Sequence, residues 1–281
     1  ETDREQSRHR APGRPNWRHT RKGDKYVTVI IDLTPVRTRT GPARLLDMVE
    51  GRSKAVFKQW LADRPKPWRD GIEVVAMDGF TGFKTAATEE LPKAAAVMDP
   101  FHVIRLAGDA LENCRRRVQH DVFGRRGMKG DPLYQARRTL LTGAGLLTEK
   151  QQARLDALFA DERHVEVLAT WGVYQDMITA YREKDRGLGR FFLQDTINRI
   201  GDGVPAGLVE VRKLARTLKQ RAGDVLGYFD RPGTSNGPTE AINGRLEHLR
   251  GSALGFRNLS HYIARSLLES GGFRPQLHPR S

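Results

Sequence analysis

Cysteine occurs once in the 281 residues, as Cys114. No disulfide can form within the chain, and a reducing, intracellular setting is the expectation. Long apolar runs are also missing. Charges interrupt every hydrophobic stretch well short of the roughly 20 residues that cross a bilayer, and the mean hydropathy is −0.58, so no membrane partner is expected. The Arg-rich stretch 1–22 has no apolar centre of the secretory kind. HExxH, CxxC, GxxxxGK[ST] and GxSxG are all absent, which withdraws support from zinc-hydrolase, P-loop ATPase and α/β-hydrolase readings. Aromatic residues make up only 7% of the chain, and the aromatic-rich strands on which RNA-binding modules stack bases are not evident.

Positive charge is plentiful. Lys and Arg number 48 against 34 Asp and Glu, a net charge of +14, with a pI near 10.2. Such a balance favours a polyanionic partner through the release of condensed counterions, and nucleic acid leads the candidates. A basic protein that is merely soluble, or one from a genome that uses Arg liberally, has the same composition.

The length allows one domain with a large insertion, or two. Residues 1–24 are charged, carry two prolines and show no period, and so read as an irregular basic tail. A first α/β part is expected over 25–100. It holds a β-branched strand at 26–31 ending on Asp32, a second strand at 45–50, and a helix capped by Ser53 with Val56, Phe57, Trp60 and Leu61 at helical spacing. A strand at 72–77 closing on Asp78, a helix at 81–90 and a short strand at 94–98 closing on Asp99 complete it. Residues 101–232 turn helical and read as an all-α insertion interrupted by the basic loop GRRGMKGDP. The last part, 233–281, opens on the turn-rich RPGTSNGPTE and continues as a helix with Ile242, Leu246 and Leu249 on one stripe and Glu240 on the polar side of its first turn.

Carboxylates gathered at a sheet edge from separate elements can hold the paired Mg2+ ions of phosphoryl transfer, which take hard oxygen ligands and keep several waters. Asp78 and Glu240 suit that role. Each also has a local explanation: Asp78 precedes Gly79 and a helix, as capping aspartates do, and Glu240 stands where a helix dipole favours an acid. Asp32 and Asp99 read equally well as loop starters, and His102 as an ordinary histidine at a helix start.

Three strings carry a resemblance: RKGDKYVTVIIDL, then VVAMDGF followed by LPKAAAVMDPFHVIRLA, and TSNGPTEAINGRLEHLRGSALGFRN. Together they resemble the DDE transposases of the ISL-three group of insertion sequences, from about residue 16 to the C-terminus. The resemblance implies an α/β fold, an RNase H-like mixed sheet flanked by helices with a large all-α insertion. It further implies a transposase that cuts and joins DNA by attack of water and then of a 3′ hydroxyl on phosphodiesters. Two Mg2+ ions, with Mn2+ as substitute, are the implied cofactors. Asp78 and Glu240 would be the metal-binding catalytic residues. Asp99 and His102 match the family's D-x-F-H block, and Asn236 and Asn243 match the asparagines flanking the Glu. These four are expected to contact DNA or support the site, as are the basic residues Arg115, Arg116, Arg117, Arg125, Arg126 and Lys129. DNA is the implied partner, with a homo-oligomer assembled on it in the bacterial cytoplasm.

One departure stands out. The family's first catalytic Asp opens a pattern like D-[DE]-x-x-x-R-K-G, and counting back from Arg21, Lys22 and Gly23 places Asn16 there. An amide offers a neutral oxygen in place of a charged one. An RNase H-like sheet also needs three consecutive antiparallel strands before its first helix, and only two are legible. Asp32 is the alternative carboxylate, at the end of a neighbouring strand. The expectation is therefore an N-terminally truncated or altered transposase with impaired catalysis, without the zinc-binding and helix-turn-helix region that family members commonly carry. An inactive DNA-binding remnant that interferes with intact transposase is the alternative.

Overall fold

The computed structural model describes residues 26–77, 79 and 81–273. Asn16 and Asp78 lie outside the described residues. The chain divides into two compact units, Glu1–Ala96 with Pro232–Ser281, and Val97–Arg231.

The first unit is built on an antiparallel pair, β1 (Val27–Asp32) and β2 (Arg44–Glu50), with a register shift between Ile30 and Ile31. A short helix α1 (Thr34–Arg37) lies in the connection. Successive side chains of β1 point to opposite faces, and both faces are covered. Val27, Val29 and Ile31 join Leu45 and Met48 in a core with Ile242, Leu246, Phe256 and Tyr262. Ile30 and Val49 pack against a second cluster of Trp60, Leu61 and Leu91. This explains why VTVIID is apolar almost throughout, where a strand with one wet face would alternate.

Helix α2 (Lys54–Ala62) starts at Ser53, whose side chain accepts from the Val56 N–H at 3.2 Å. The indole N–H of buried Trp60 donates to Asp47 at 2.7 Å, satisfying its polar edge. After α3 (Lys66–Asp70) come β3 (Val74–Met77), α4 (Thr81–Glu90) and β4 (Ala95–Met98). Strands β3 and β4 form a second two-stranded sheet, beside which the Ala95 N–H donates to the Glu73 carbonyl at 2.8 Å.

The second unit is helical: α5 (Pro100–Phe123), α6 (Pro132–Ala136), α7 (Glu149–Phe159), α8 (Val165–Arg182), α9 (Arg186–Asp202), α10 (Val209–Gln220) and α11 (Ala222–Asp230). Asp99 caps α5 with Pro100 in its first turn, and Gly124 ends it in the left-handed region that glycine tolerates. Thr148 and Gln151 form a reciprocal capping box on α7. Leu111, Cys114, Met177, Leu193, Ile197 and Leu218 are among the buried side chains of its core.

Two polar clusters brace this unit. Arg117 of α5 bonds Glu166 at 2.7 Å and Glu210 at 2.9 and 3.0 Å, tying α5 to α8 and α10. Its hydrogen bonds to Glu210, then Glu166, push the Arg117 pKa up against the opposing effect of burial. In the other cluster Asp131 accepts from Arg125 at 2.9 Å through each oxygen, from the Met128 N–H at 2.6 Å and from Gln119 at 3.1 Å. Chiefly through the Arg125 bonds, its carboxyl is held down at about 2, below the ordinary 3.8. A depressed carboxyl contributes stability above its unfolded pKa and loses it as pH falls through the folded one. Asp131→Asn is therefore expected to lower the melting temperature at neutral pH, with the gap to the parent closing between about pH 4 and pH 2. A gap that stays constant over that window would show that the ionised carboxylate contributes nothing.

The chain returns to the first unit through α12 (Gly237–Ser252) and α13 (Leu259–Ser270). Ile242 and Leu246 are fully buried and Leu249 partly so, the stripe expected of an amphipathic helix. Between the helices, Leu254 has a φ of +54°, a conformation that costs a non-glycine residue about 1–2 kcal/mol.

Candidate active site

Strands β1 and β3 both border a cavity of about 1050 Å3 in the first unit, bounded by the described residues. Its walls include Val27–Asp32, Val74–Met77, Phe57 and Trp60, and the start of α12 contributes Asn236 and Thr239. The end of β3 that leads to Asp78 is on this wall.

Helix α12 supplies the polar side. The approach turn is tightly ordered: Thr234 is fully buried, Asn236 is 8% exposed, and the Gly237 N–H donates to the Ser235 hydroxyl at 3.1 Å. Pro238 opens the helix, where its missing N–H costs nothing. The Glu240 N–H then donates to the Asn236 carbonyl at 3.0 Å. Asn236, Glu240 and Asn243 follow the three-to-four-residue spacing of one helix face. Glu240 is half-buried in the first turn, where the helix dipole favours a carboxylate.

Asn243 is 6% exposed, and among the described residues neither its Oδ1 nor its Nδ2 has a hydrogen-bond partner. A buried amide left this way costs about 1–3 kcal/mol, so an unpaired one marks a place where another group binds or where strain is stored. Hard oxygens of this kind, the Glu240 carboxylate and the Asn243 amide, fit magnesium. Among the described residues no group of three or more His, Cys, Asp or Glu converges on one point.

Asp32 ends β1 and is engaged locally. One oxygen accepts from the Thr34 N–H at 2.8 Å, the other from Arg44 at 2.6 Å. Burial raises its pKa, but the bonds from Thr34 and Arg44 outweigh burial and keep it below the usual value. These contacts give it the turn role of an aspartate at a strand end.

In the helical unit, Asp99 and His102 are both buried, 4% and 3% exposed. The Asp99 carboxylate accepts from the His102 N–H at 3.4 Å, and the imidazole Nδ1 stands 3.7 Å from it. Tyr181, stacked on Phe229 with ring centroids 5.2 Å apart, has a buried hydroxyl. Its pKa is driven up by burial first and by the Asp99 charge second. Nothing in the local sequence around Tyr181 announces this, because its partner lies on another helix.

The expected basic contacts divide. Arg115 is 4% exposed and spends its guanidinium on Glu112 at 2.8 and 2.7 Å and on Gln119 at 2.6 Å. Arg117 and Arg125 belong to the two bracing clusters, and exposed Arg116 bonds Glu112 at 2.7 Å. Arg126 and Lys129 are exposed, in the basic loop after α5.

Comparison with known proteins places these residues in a family. A transposase family model of the ISL3 type matches residues 18–266. Two curated relatives, transposases for insertion sequence element IS1557 from Mycobacterium tuberculosis strains CDC 1551 / Oshkosh and ATCC 25618 / H37Rv, are each 26% identical over 278 residues. The match covers 91% of this chain and 59% of each relative, so the chain spans somewhat over half their length. No solved structure matches, and among the described residues no helix is long and apolar enough to cross a membrane. A match over so much of the chain shows that it belongs to the ISL3 family of insertion-sequence transposases.

Proposed function

We propose that the chain is the catalytic part of a transposase that cuts DNA strands with help from divalent metal, and that its activity is impaired by the amide at position 16. The observation that carries the proposal is the α12 face, where half-buried Glu240 lies one turn from the unpaired Asn243 amide. Membership of the family and a net charge of +14 support DNA as the partner.

Glu240 and Asp78 would hold magnesium, which when bound supplies neutralisation of the charge that develops on a phosphodiester. Glu240 contributes a carboxylate from a rigid helix, so its position is fixed before substrate arrives. The Asn243 amide, unpaired among the described residues, would orient a water or a phosphate oxygen on that face. Arg126 and Lys129 would track backbone phosphates without reading sequence.

An RNase H-like sheet is part of this proposal. Its central strand would run between β1 and β3, where the cavity of about 1050 Å3 lies.

The test is nicking of supercoiled plasmid in Mn2+ by this chain and by Asp78→Ala, with a chelator control. Slow nicking by the parent, absent in Asp78→Ala and in chelator, is expected. Binding that is unaffected by chelator, with no nicking under any condition, would favour a DNA-binding remnant over an enzyme.

A further inference from the structure

The turn between α12 and α13 carries an exposed apolar side chain on a left-handed backbone. Leu254 occupies the left-handed position just after the helix, with the Gly255 N–H closing back onto the Arg250 carbonyl at 2.8 Å. That position favours glycine, and a glycine stands one residue later. Leucine here also gains no burial. At 76% it is the most exposed of the large apolar side chains among the described residues.

The tip is nevertheless held firmly. Phe256 is buried, with its ring 4.9 Å from that of Tyr262, and the Asn258 side chain accepts from the Ser260 N–H at 3.0 Å to start α13. The exposed charge nearby in sequence is of one sign. Arg245, Arg257 and Arg265 are exposed, and the single acid between 245 and 265, Glu247, bonds Arg250 at 3.0 Å.

We propose that Leu254 is a wedge that enters duplex DNA between base steps while the neighbouring arginines rest on phosphates. Apolar side chains used this way partly unstack a step and kink the duplex, and flanking cations position the protein on the backbone. A protein partner would call for a broader apolar patch. Here Leu254 stands beside exposed Gly251, Ser252 and Ala253, a narrow tip suited to a gap between bases. The inference rests on the nucleic-acid reading above.

The test uses the whole chain, in chelator so that no strand is nicked, on closed circular plasmid relaxed by topoisomerase I in its presence, with the linking number read after the protein is removed. Duplex affinity is measured separately by fluorescence anisotropy. The parent is expected to lower the linking number, because an inserted wedge unwinds the duplex. Leu254→Gly should cut that change by about fivefold or more, keep duplex affinity within about threefold, and melt at a higher temperature because glycine relieves the backbone. Leu254→Phe should retain the unwinding. Unchanged unwinding by Leu254→Gly, or a parent that binds without unwinding, overturns the wedge while leaving DNA binding intact. A lower melting temperature in Leu254→Gly would make the residue a packing element, and loss of self-association in that variant would make it a contact between copies. A parent with no duplex affinity sinks the nucleic-acid reading, and this inference with it.

Discussion

Asn16→Asp is expected to raise metal-dependent nicking by about a hundredfold or more, since displaced or missing support around a metal already costs 10–100-fold. The gain comes from charge. An ionised carboxylate at that position would share the neutralisation of the metal with Asp78 and Glu240, which a neutral amide cannot do. Adding Glu240→Gln to Asn16→Asp should then return nicking to the level of the unaltered chain. Gln keeps the volume and the helical propensity of Glu, and Glu240 is only half-buried in its first turn. The melting temperature should therefore move little, and a loss of nicking would report chemistry and not unfolding. Nicking that survives Glu240→Gln would remove Glu240 from the reaction, and the unpaired Asn243 amide would need another explanation. If Asn16→Asp has no effect while Asp78→Ala still abolishes nicking, position 16 is not where the third ligand belongs.

The second large effect concerns stability. Arg117→Met should destabilise the helical unit by about 2–3 kcal/mol. Breaking a buried ion pair costs about 3–5 kcal/mol, and partial exposure of this cluster, with side chains 31%, 30% and 14% exposed for Arg117, Glu166 and Glu210, reduces that figure. For a unit of this size the change corresponds to a melting-temperature drop of about 5–10 °C. The cost lies mostly in stranding two carboxylates, so Glu166→Gln with Glu210→Gln in the same chain should restore a large share of it. A drop of less than about a degree would mean that solvent screens the cluster. The same variant also bears on DNA contact: an arginine engaged with two acids has little charge left for phosphate, so duplex affinity should change little.

Local pattern was legible and remote pairing was not. The helix at 81–90 is found at those limits, and the expected strands at 26–31, 45–50 and 94–98 match β1, β2 and β4 to within a residue. The strand expected from 72 begins at Val74, because Gly71 closes α3 and the Ile72 N–H is taken by the Arg69 carbonyl at 3.1 Å. The stripe of Ile242 and Leu246 was equally readable from period alone. The run of arginines on α5 shows the limit of that kind of reading. From sequence it looks like a charged face offered to DNA, yet Glu166 and Glu210 stand 49 and 93 residues from Arg117, and no local window contains them. Asn243 follows the same rule. Its spacing from Glu240 is visible in the chain, whereas the burial that makes its amide conspicuous depends on the packing of α12.

The core that covers one face of β1 and β2 draws Val27 and Leu45 together with Ile242 and Leu246, about 200 residues further along. On a ribosome adding roughly 5–20 residues each second, the ribbon leaves the exit tunnel some tens of seconds before the helix that shields it. The helical unit, whose buried core is drawn from residues 98–229, has no such wait and can close first. A nascent chain stalled before α12 would thus present a folded helical body and an uncovered, aggregation-prone ribbon. Chaperone capture should concentrate on the earliest strands and not on the most recently made residues.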